Sequence, residues 1–317
     1  MFRILSKTLA ALAYMVALVA VSPTYAGSVP ESKDPIKLAI NEWTGQHLSA
    51  HIAGELLKEM GYNVEYVTAG AVPQFAAIAQ GTLHAQPEVW TNNVGDIYPK
   101  AVKSGDIVVL GQLGLQPREG WIYPPYMEEK CPGLPDYSAL YDCAQAFATP
   151  ETFPKGRLIT YPADWGTRSK EVVEMIGLPF KPIAGGSEGA MIAELKSAHA
   201  AKEPIIMMFW QPHWLFAQLD FNWVQWEPYV EGCEVSQSKG SACGFQQATV
   251  DKIVWKGFKE KWPTAYRFME AYTLSNDIHN RLILEVDEQG RPLEEVVQGW
   301  IDENEEIWRT WIDSAMM

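Results

Sequence analysis

The chain has 317 residues, 47% hydrophobic and 20% charged, which excludes long disorder and low-complexity fibre and suits two compact units or one large one. Its 25 basic and 39 acidic side chains give a formal charge of −14, which argues against nucleic-acid binding and against docking on anionic lipid. The unusual count is tryptophan, at 13.

Residues 1–26 read as an export signal. Arg3 and Lys7 supply the positive start, residues 9–21 the apolar run, and Thr24-Tyr25-Ala26 the small residues before a cut expected after Ala26. The apolar run is shorter than the roughly 20 residues of a spanning helix, and no Cys follows it to carry a lipid. The mature chain then keeps 23 basic against 39 acidic side chains, and its expected location is the periplasm.

From residue 36 the pattern alternates. A strand at 36–40 leads to the loop Asn41-Glu42-Trp43-Thr44-Gly45. A helix over 47–60 carries Leu48, Ile52, Leu56 and Leu57 on one face and stops at Gly61. A strand at 63–67, a helix at 72–80 and the run 84–89 follow, the last leading to the loop Trp90-Thr91-Asn92-Asn93; a strand at 107–110 comes next. A Pro- and Tyr-rich stretch, 121–135, breaks the rhythm. The alternation resumes with a strand at 158–160, the loop Asp164-Trp165-Gly166, helices at 167–176 and 190–201, and an apolar strand at 204–209 leading into Trp210-Gln211-Pro212-His213-Trp214. Helices are expected at 255–261, 263–271 and 293–313, with Trp255, Trp262, Trp300, Trp308 and Trp311 as packing residues. Such alternation implies an α/β fold with mostly parallel sheets covered by helices.

Four cysteines allow three connectivities. The local pairs close short loops, so the expected bridges are Cys131–Cys143 and Cys233–Cys243, each contributing roughly 2–4 kcal/mol. Zinc through these thiols is not expected, since tight C-x-x-C spacing is missing.

Trp43, Trp90, Trp165 and Trp210 differ from the packing tryptophans. Each follows a strand, and their neighbours are Asn, Thr, Gly, Asp and Pro. Ligands of open α/β sheets bind outside the carboxyl ends of the strands, so these indoles converge on one cleft. A trimethylated nitrogen has no hydrogen to donate, an apolar skin and a positive core. Indole faces satisfy both properties, at roughly 0.5–2 kcal/mol each once desolvated.

These residues carry a family resemblance. Ile36–Gly45 (IKLAINEWTG), Pro87–Asn92 (PEVWTN), Ala163–Gly166 (ADWG) and Met208–Trp214 (MFWQPHW) resemble the periplasmic glycine betaine/choline-type substrate-binding proteins of ABC importers. The segments NEWTGQ and REGWIYPPYM and the local Cys pairs look most like the trimethylamine N-oxide-binding branch. The resemblance implies a two-lobe clamshell, each lobe a mixed, mostly parallel sheet flanked by helices, with the ligand in the interlobe cleft. It implies a small methylated-amine ligand, an inner-membrane ABC permease as partner, no cofactor, no resident metal, no catalysis and a monomer. Lobe one is expected at 32–117 plus 246–317, and lobe two at 118–245. The cage positions carry over to Trp43, Trp90, Trp165 and Trp210, with Trp121 as a further wall or lid. Glu119 is the candidate polar partner of a ligand oxygen: an N-oxide or hydroxyl suits a carboxyl group, whereas the carboxylate of betaine is repelled by it.

Two rival readings are weaker. Gly185-Gly186-Ser187-Glu188-Gly189 fits the G-x-S-x-G pattern of secreted serine hydrolases, but Pro182-Ile183-Ala184 is a poor preceding strand; Ser187 suits a helix N-cap. His47 and His51 stand at a spacing that can hold zinc, but Leu48 replaces the Glu of the metalloprotease form.

Overall fold

A computed structural model describes residues 28–92, 94–233, 236, 238 and 242–317. The expected signal segment lies outside them. Its strands are β1 (Ile36–Ile40), β2 (Val64–Thr68), β3 (Ala85–Trp90), β4 (Ile107–Gln112), β5 (Arg118–Tyr123), β6 (Pro132–Pro135), β7 (Gly156–Thr160), β8 (Phe180–Ala184), β9 (Met207–Gln211), β10 (Asn222–Trp223) and β11 (Val250–Trp255).

They form two five-stranded sheets, ordered β2-β1-β3-β11-β4 and β10-β5-β9-β7-β8. In the first, β11 runs against both neighbours; in the second, β5 runs against both of its neighbours. The remaining pairs, β1 with β2 and β3, and β7 with β8 and β9, are parallel. This is the two-lobe α/β clamshell. The chain passes between the sheets at 113–117 and returns through 224–249.

The helix Thr44–Glu59 buries Leu48, Ile52, Leu56 and Leu57 completely, the face that periodicity marks. It packs against the helices Asn276–Asp287 and Leu293–Glu303. The acidic C-terminal run is two helices, Leu293–Glu303 and Glu305–Met316, divided at Asn304, whose side chain donates to the Trp300 carbonyl. Both disulfides, Cys131–Cys143 and Cys233–Cys243, are formed.

Two departures have clear causes. Residues 250–255 form an interior strand, and Trp255 ends it instead of opening a helix. Lys252 disguises this strand as surface, yet it is 2% exposed and its ammonium donates to the Glu270 and Tyr272 carbonyls at 2.7 and 2.5 Å. The stretch expected to break the rhythm instead opens inside a strand: β5 begins at Arg118, carries Glu119 and runs on to Tyr123.

His84 gives the fold an acid weakness. Its Nδ1 accepts from the Lys37 backbone N–H at 3.0 Å, and its ring lies 4.8 Å from that of Trp262. Burial, then Lys261 and Lys37, push its pKa down to about 4. The unfolded chain takes up this proton near the ordinary histidine value of about 6.5, so the stabilisation is present above that value and lost as pH falls towards the folded one. We expect a lower urea midpoint at pH 4.5 than at pH 7, and a shallower pH dependence in His84→Gln. An unchanged pH dependence in that variant would remove His84 from the account.

Candidate functional site

The strand ends bring the loop tryptophans together as the sheet directions require. β1 delivers Trp43, which begins the helix Thr44–Glu59 as an extended N-cap; Trp90 ends β3. In the second sheet β7 leads to Tyr161 and Trp165, and β9 carries Trp210 near its carboxyl end. Because β5 runs against β9, Glu119 near its amino end pairs directly with Trp210.

These residues line a cavity of about 40 Å³: Trp43, Trp90, Trp165, Trp210, Tyr161 and Glu119, with Ala71, Gln74 and Val94 completing it. Trp165 is the central ring. Its centroid lies 5.1 Å from that of Trp43, 5.7 Å from that of Trp210 and 5.7 Å from that of Tyr161, each tilted or edge-on. Tyr161 and Trp210 meet at 5.6 Å, near-perpendicular. Trp43, Trp165, Trp210 and Tyr161 are at most 8% exposed; Trp90 is half-buried.

One polar pair interrupts the aromatic lining. The Tyr161 hydroxyl donates to Glu119 Oε1 at 2.7 Å. Burial, then the charge and hydrogen bond of Glu119, raise the Tyr161 pKa well above its ordinary value, so the phenol keeps its proton. Gln74 belongs to a buried amide network: its side-chain oxygen accepts from Gln86 at 2.7 Å and Asn41 at 3.2 Å. Such a network holds a wall in place without adding charge.

Carboxylates orient the indoles. Glu88 on β3 is fully buried, and its Oε1 accepts from Trp43 Nε1 at 2.9 Å and Trp90 Nε1 at 3.0 Å. Its Oε2 accepts from Ser49 at 2.5 Å and faces His279 Nε2 at 3.2 Å. Gly45 makes room for that imidazole: a Cβ there would lie 2.5 Å from His279 Cε1. Trp165 Nε1 donates to Glu42 Oε2 at 3.1 Å.

Trp121, expected as a further wall or lid, does not line this cavity. It lies two residues beyond Glu119 on β5, is 0% exposed, donates to Ser169 Oγ at 2.9 Å and packs edge-on against Trp226 at 4.9 Å. Strand alternation gives it the same face as Glu119, but deeper in the core. Tyr161 and Glu88 are the residues that sequence reasoning missed. The i, i+2 spacing of Glu88 and Trp90 was the available signal for the second.

The rival sites resolve into structure. Residues 182–184, expected to be a poor strand, do end β8 and pair with β7, but Ser187 caps the helix Glu188–Ala201, its Oγ accepting from the Ala190 N–H at 3.3 Å. His51 stacks on Tyr66 at 4.0 Å, and His47 Nε2 meets the Asn41 carbonyl.

The lobes are tied beside the cage. Glu188 Oε2 of the second lobe accepts from the Thr44 backbone N–H at 2.7 Å, at the positive end of a helix of the first. Asp287 accepts from Thr44 Oγ1 at 2.6 Å and from Trp214 Nε1, across the cleft, at 3.2 Å. Burial, then Glu188, raise the Asp287 pKa. Glu188, His213 and Asp287 hold ligand-type atoms within 4.8 Å of one another, but His213 Nδ1 accepts from the Leu215 N–H. An Nδ1 that accepts leaves the proton of a neutral ring on Nε2, 3.5 Å from Glu188 Oε1 of the same lobe, which is not the tautomer that binds a metal through Nε2.

Residues 34–303 match the family described as the substrate binding domain of an ABC-type glycine betaine transport system. The chain is 29% identical over 303 residues to the trimethylamine N-oxide-binding protein of Pelagibacter ubique (strain HTCC1062), covering 93% of this chain and 96% of that protein. Its fold is similar to that of lactococcal OpuAC in its closed-liganded conformation with glycine betaine (TM-score 0.70, 19% identity, 88% of this chain and 99% of that one). It is also similar to an ABC-transporter choline-binding protein in complex with choline (TM-score 0.74, 14% identity, 90% and 97% of the two chains).

Proposed function

The chain belongs to the family of substrate-binding domains of ABC-type glycine betaine transport systems, a family of binding proteins and not of enzymes, and from that premise we propose that its ligand is trimethylamine N-oxide. The observation that carries this reading is the Glu119–Tyr161 pair, 2.7 Å apart, in an otherwise aromatic and amide-lined box. The trimethylated nitrogen sits among Trp43, Trp90, Trp165 and Trp210, and the oxygen meets Glu119. A single proton shared between that oxygen and the carboxyl group satisfies both.

The longer relatives of this ligand fit less well. Betaine ends in a carboxylate, and the lining offers Glu119 where a cation or a row of donors is needed. Choline ends in a hydroxyl that a carboxylate accepts, but its two-carbon tail holds that hydroxyl away from the trimethylated nitrogen, whereas Glu119 pairs directly with Trp210 in the wall of the box. The relative of nearly equal length is itself named as a trimethylamine N-oxide-binding protein, which supports the same choice.

Export to the periplasm, delivery to an inner-membrane permease, a monomeric state and the lobe division 32–117 plus 246–317 against 118–245 belong to this reading. Closure joins the two lobes around the ligand, and the ligand stabilises the closed state by its differential affinity for it.

Calorimetric titration of the ligand-stripped protein with trimethylamine N-oxide, choline and glycine betaine tests the reading. The N-oxide is expected to bind with micromolar or better affinity, corresponding to about −8 kcal/mol, and the others at least tenfold more weakly. Glu119→Ala is expected to cost on the order of tenfold to a hundredfold, as loss of a hydrogen bond to a charged group does. Preference for betaine, or unchanged N-oxide affinity in Glu119→Ala, would overturn it.

A further inference from the structure

Three of the four cage tryptophans direct their indole N–H groups at carboxylates: Trp43 and Trp90 at Glu88, and Trp165 at Glu42. An indole N–H needs only an acceptor, and two others in this chain use neutral ones, although Trp214 also meets a carboxylate, Asp287. Trp308 donates to the Ile301 carbonyl and Trp121 to the Ser169 hydroxyl. A carboxylate in the same place carries a desolvation cost that a carbonyl does not. Glu88 bears it in full, at 0% exposure. The charge, beyond the hydrogen bond, therefore calls for a function.

The charge is present. Complete burial pushes the Glu88 carboxyl up, but His279 and the hydrogen bonds of Ser49 and Trp90 outweigh it and hold the group below the usual carboxylate range. His279 Nε2 faces both Glu88 Oε2 and the Gly45 carbonyl, at 3.2 and 3.1 Å, while Nδ1 has no partner among the described residues. Both neighbours of Nε2 are acceptors, so that nitrogen carries a proton, and it meets Oε2, whereas the two indoles meet the other carboxylate oxygen, Oε1. Glu42 is held differently. Burial and the neighbouring Asp164 raise its pKa, and the Trp165 hydrogen bond opposes them.

An anion at the N–H edge of an indole pushes electron density onto the ring faces. It also adds its own field through the wall. Both effects attract a cation in the box, and neither acts on a neutral molecule of the same shape. We propose that Glu88 and Glu42 are selectivity residues that act through the tryptophans: without touching the ligand, they set the preference of the cage for a positively charged head over a neutral one of equal size. The inference rests on the reading of this pocket as a methylated-ammonium site.

Glutamine keeps an oxygen to accept each indole N–H and removes the charge; at position 88 its amide also turns a donor toward His279 Nε2, so Glu42→Gln is the cleaner variant. The test is therefore a comparison of wild type, Glu88→Gln and Glu42→Gln in the full mature protein. The probes are tetramethylammonium and tert-butanol, a soluble neutral trimethyl compound, with binding followed by tryptophan fluorescence. Each variant is expected to weaken tetramethylammonium on the order of tenfold and to leave tert-butanol within about twofold. The ratio of the two affinities is the informative quantity, because a merely structural role would weaken both probes alike. An unchanged ratio in both variants overturns the inference and leaves the functional reading standing. A wild-type protein that binds neither tetramethylammonium nor any of the three natural methylated amines overturns the functional reading, and this inference with it. Should Glu88→Gln fail to melt cooperatively, Glu42→Gln decides alone, since Glu42 lies in the loop after β1 and outside the buried Ser49–His279 cluster.

Discussion

Replacing Trp165 by alanine is expected to weaken ligand binding roughly a hundredfold, about 3 kcal/mol, the cost typical of a central aromatic anchor. No other cage residue does as much at once. Its ring contacts Trp43 of the first lobe and both Tyr161 and Trp210 of the second, and its N–H reaches back to Glu42 of the first. Alanine thus removes a cation–π face, loosens the two neighbouring walls and deletes an interlobe contact in the closed state. The free protein is expected to retain its fold, because Trp165 lies at the cleft and outside the sheets. Calorimetry on the purified variant decides the matter, and an affinity within threefold of wild type would show that the ring is only a bystander.

The largest expected effect on stability lies one step behind the site. Trp121→Ala should destabilise the protein by about 3–5 kcal/mol, the usual range for truncating a buried aromatic. The ring has 0% exposure, an edge-on contact with Trp226 and a hydrogen bond to Ser169 that alanine leaves without its donor. Trp121→Phe keeps most of the volume and should cost well under half as much, about 1–2 kcal/mol, which separates the cavity from the lost hydrogen bond. Urea unfolding of both variants measures the difference. A loss below 1 kcal/mol for alanine would mean that the surrounding rings collapse into the space.

The contrast between these two tryptophans shows how far the sequence can be read. Trp43, Trp90, Trp165 and Trp210 were legible because each follows a strand or stands at its carboxyl end, beside polar and turn-forming residues. That setting places an indole at the sheet edge whatever the details of packing. Trp121 sits in a similarly mixed stretch, but β5 begins earlier than the pattern shows and carries its ring past the rim into the core. Tyr161 was hidden by its position between a strand and a proline, where a tyrosine reads as punctuation. Glu88 was hidden because a charged residue in a strand usually signals a solvated face. Its burial follows from contacts with Ser49 on the helix Thr44–Glu59 and His279 on the helix Asn276–Asp287, partners 39 and 191 positions away. Lys252 misled for the same reason. Local pattern locates a residue along its element, whereas a buried charge is explained only by partners that the sheet order brings from elsewhere.

That sheet order also constrains when the protein can assemble. In the first sheet β11 stands between β3 and β4, supplying hydrogen bonds to both. A chain delivered amino end first therefore completes every strand of the second sheet, through β10, while the first still has a gap between β3 and β4. Until residues 250–255 arrive, β3 and β4 each present an unpaired edge, the kind of surface on which strands of other chains add. The lobe that begins first is thus the last to close, and the interval before β11 docks is when the nascent protein is most exposed to aggregation and most in need of protection.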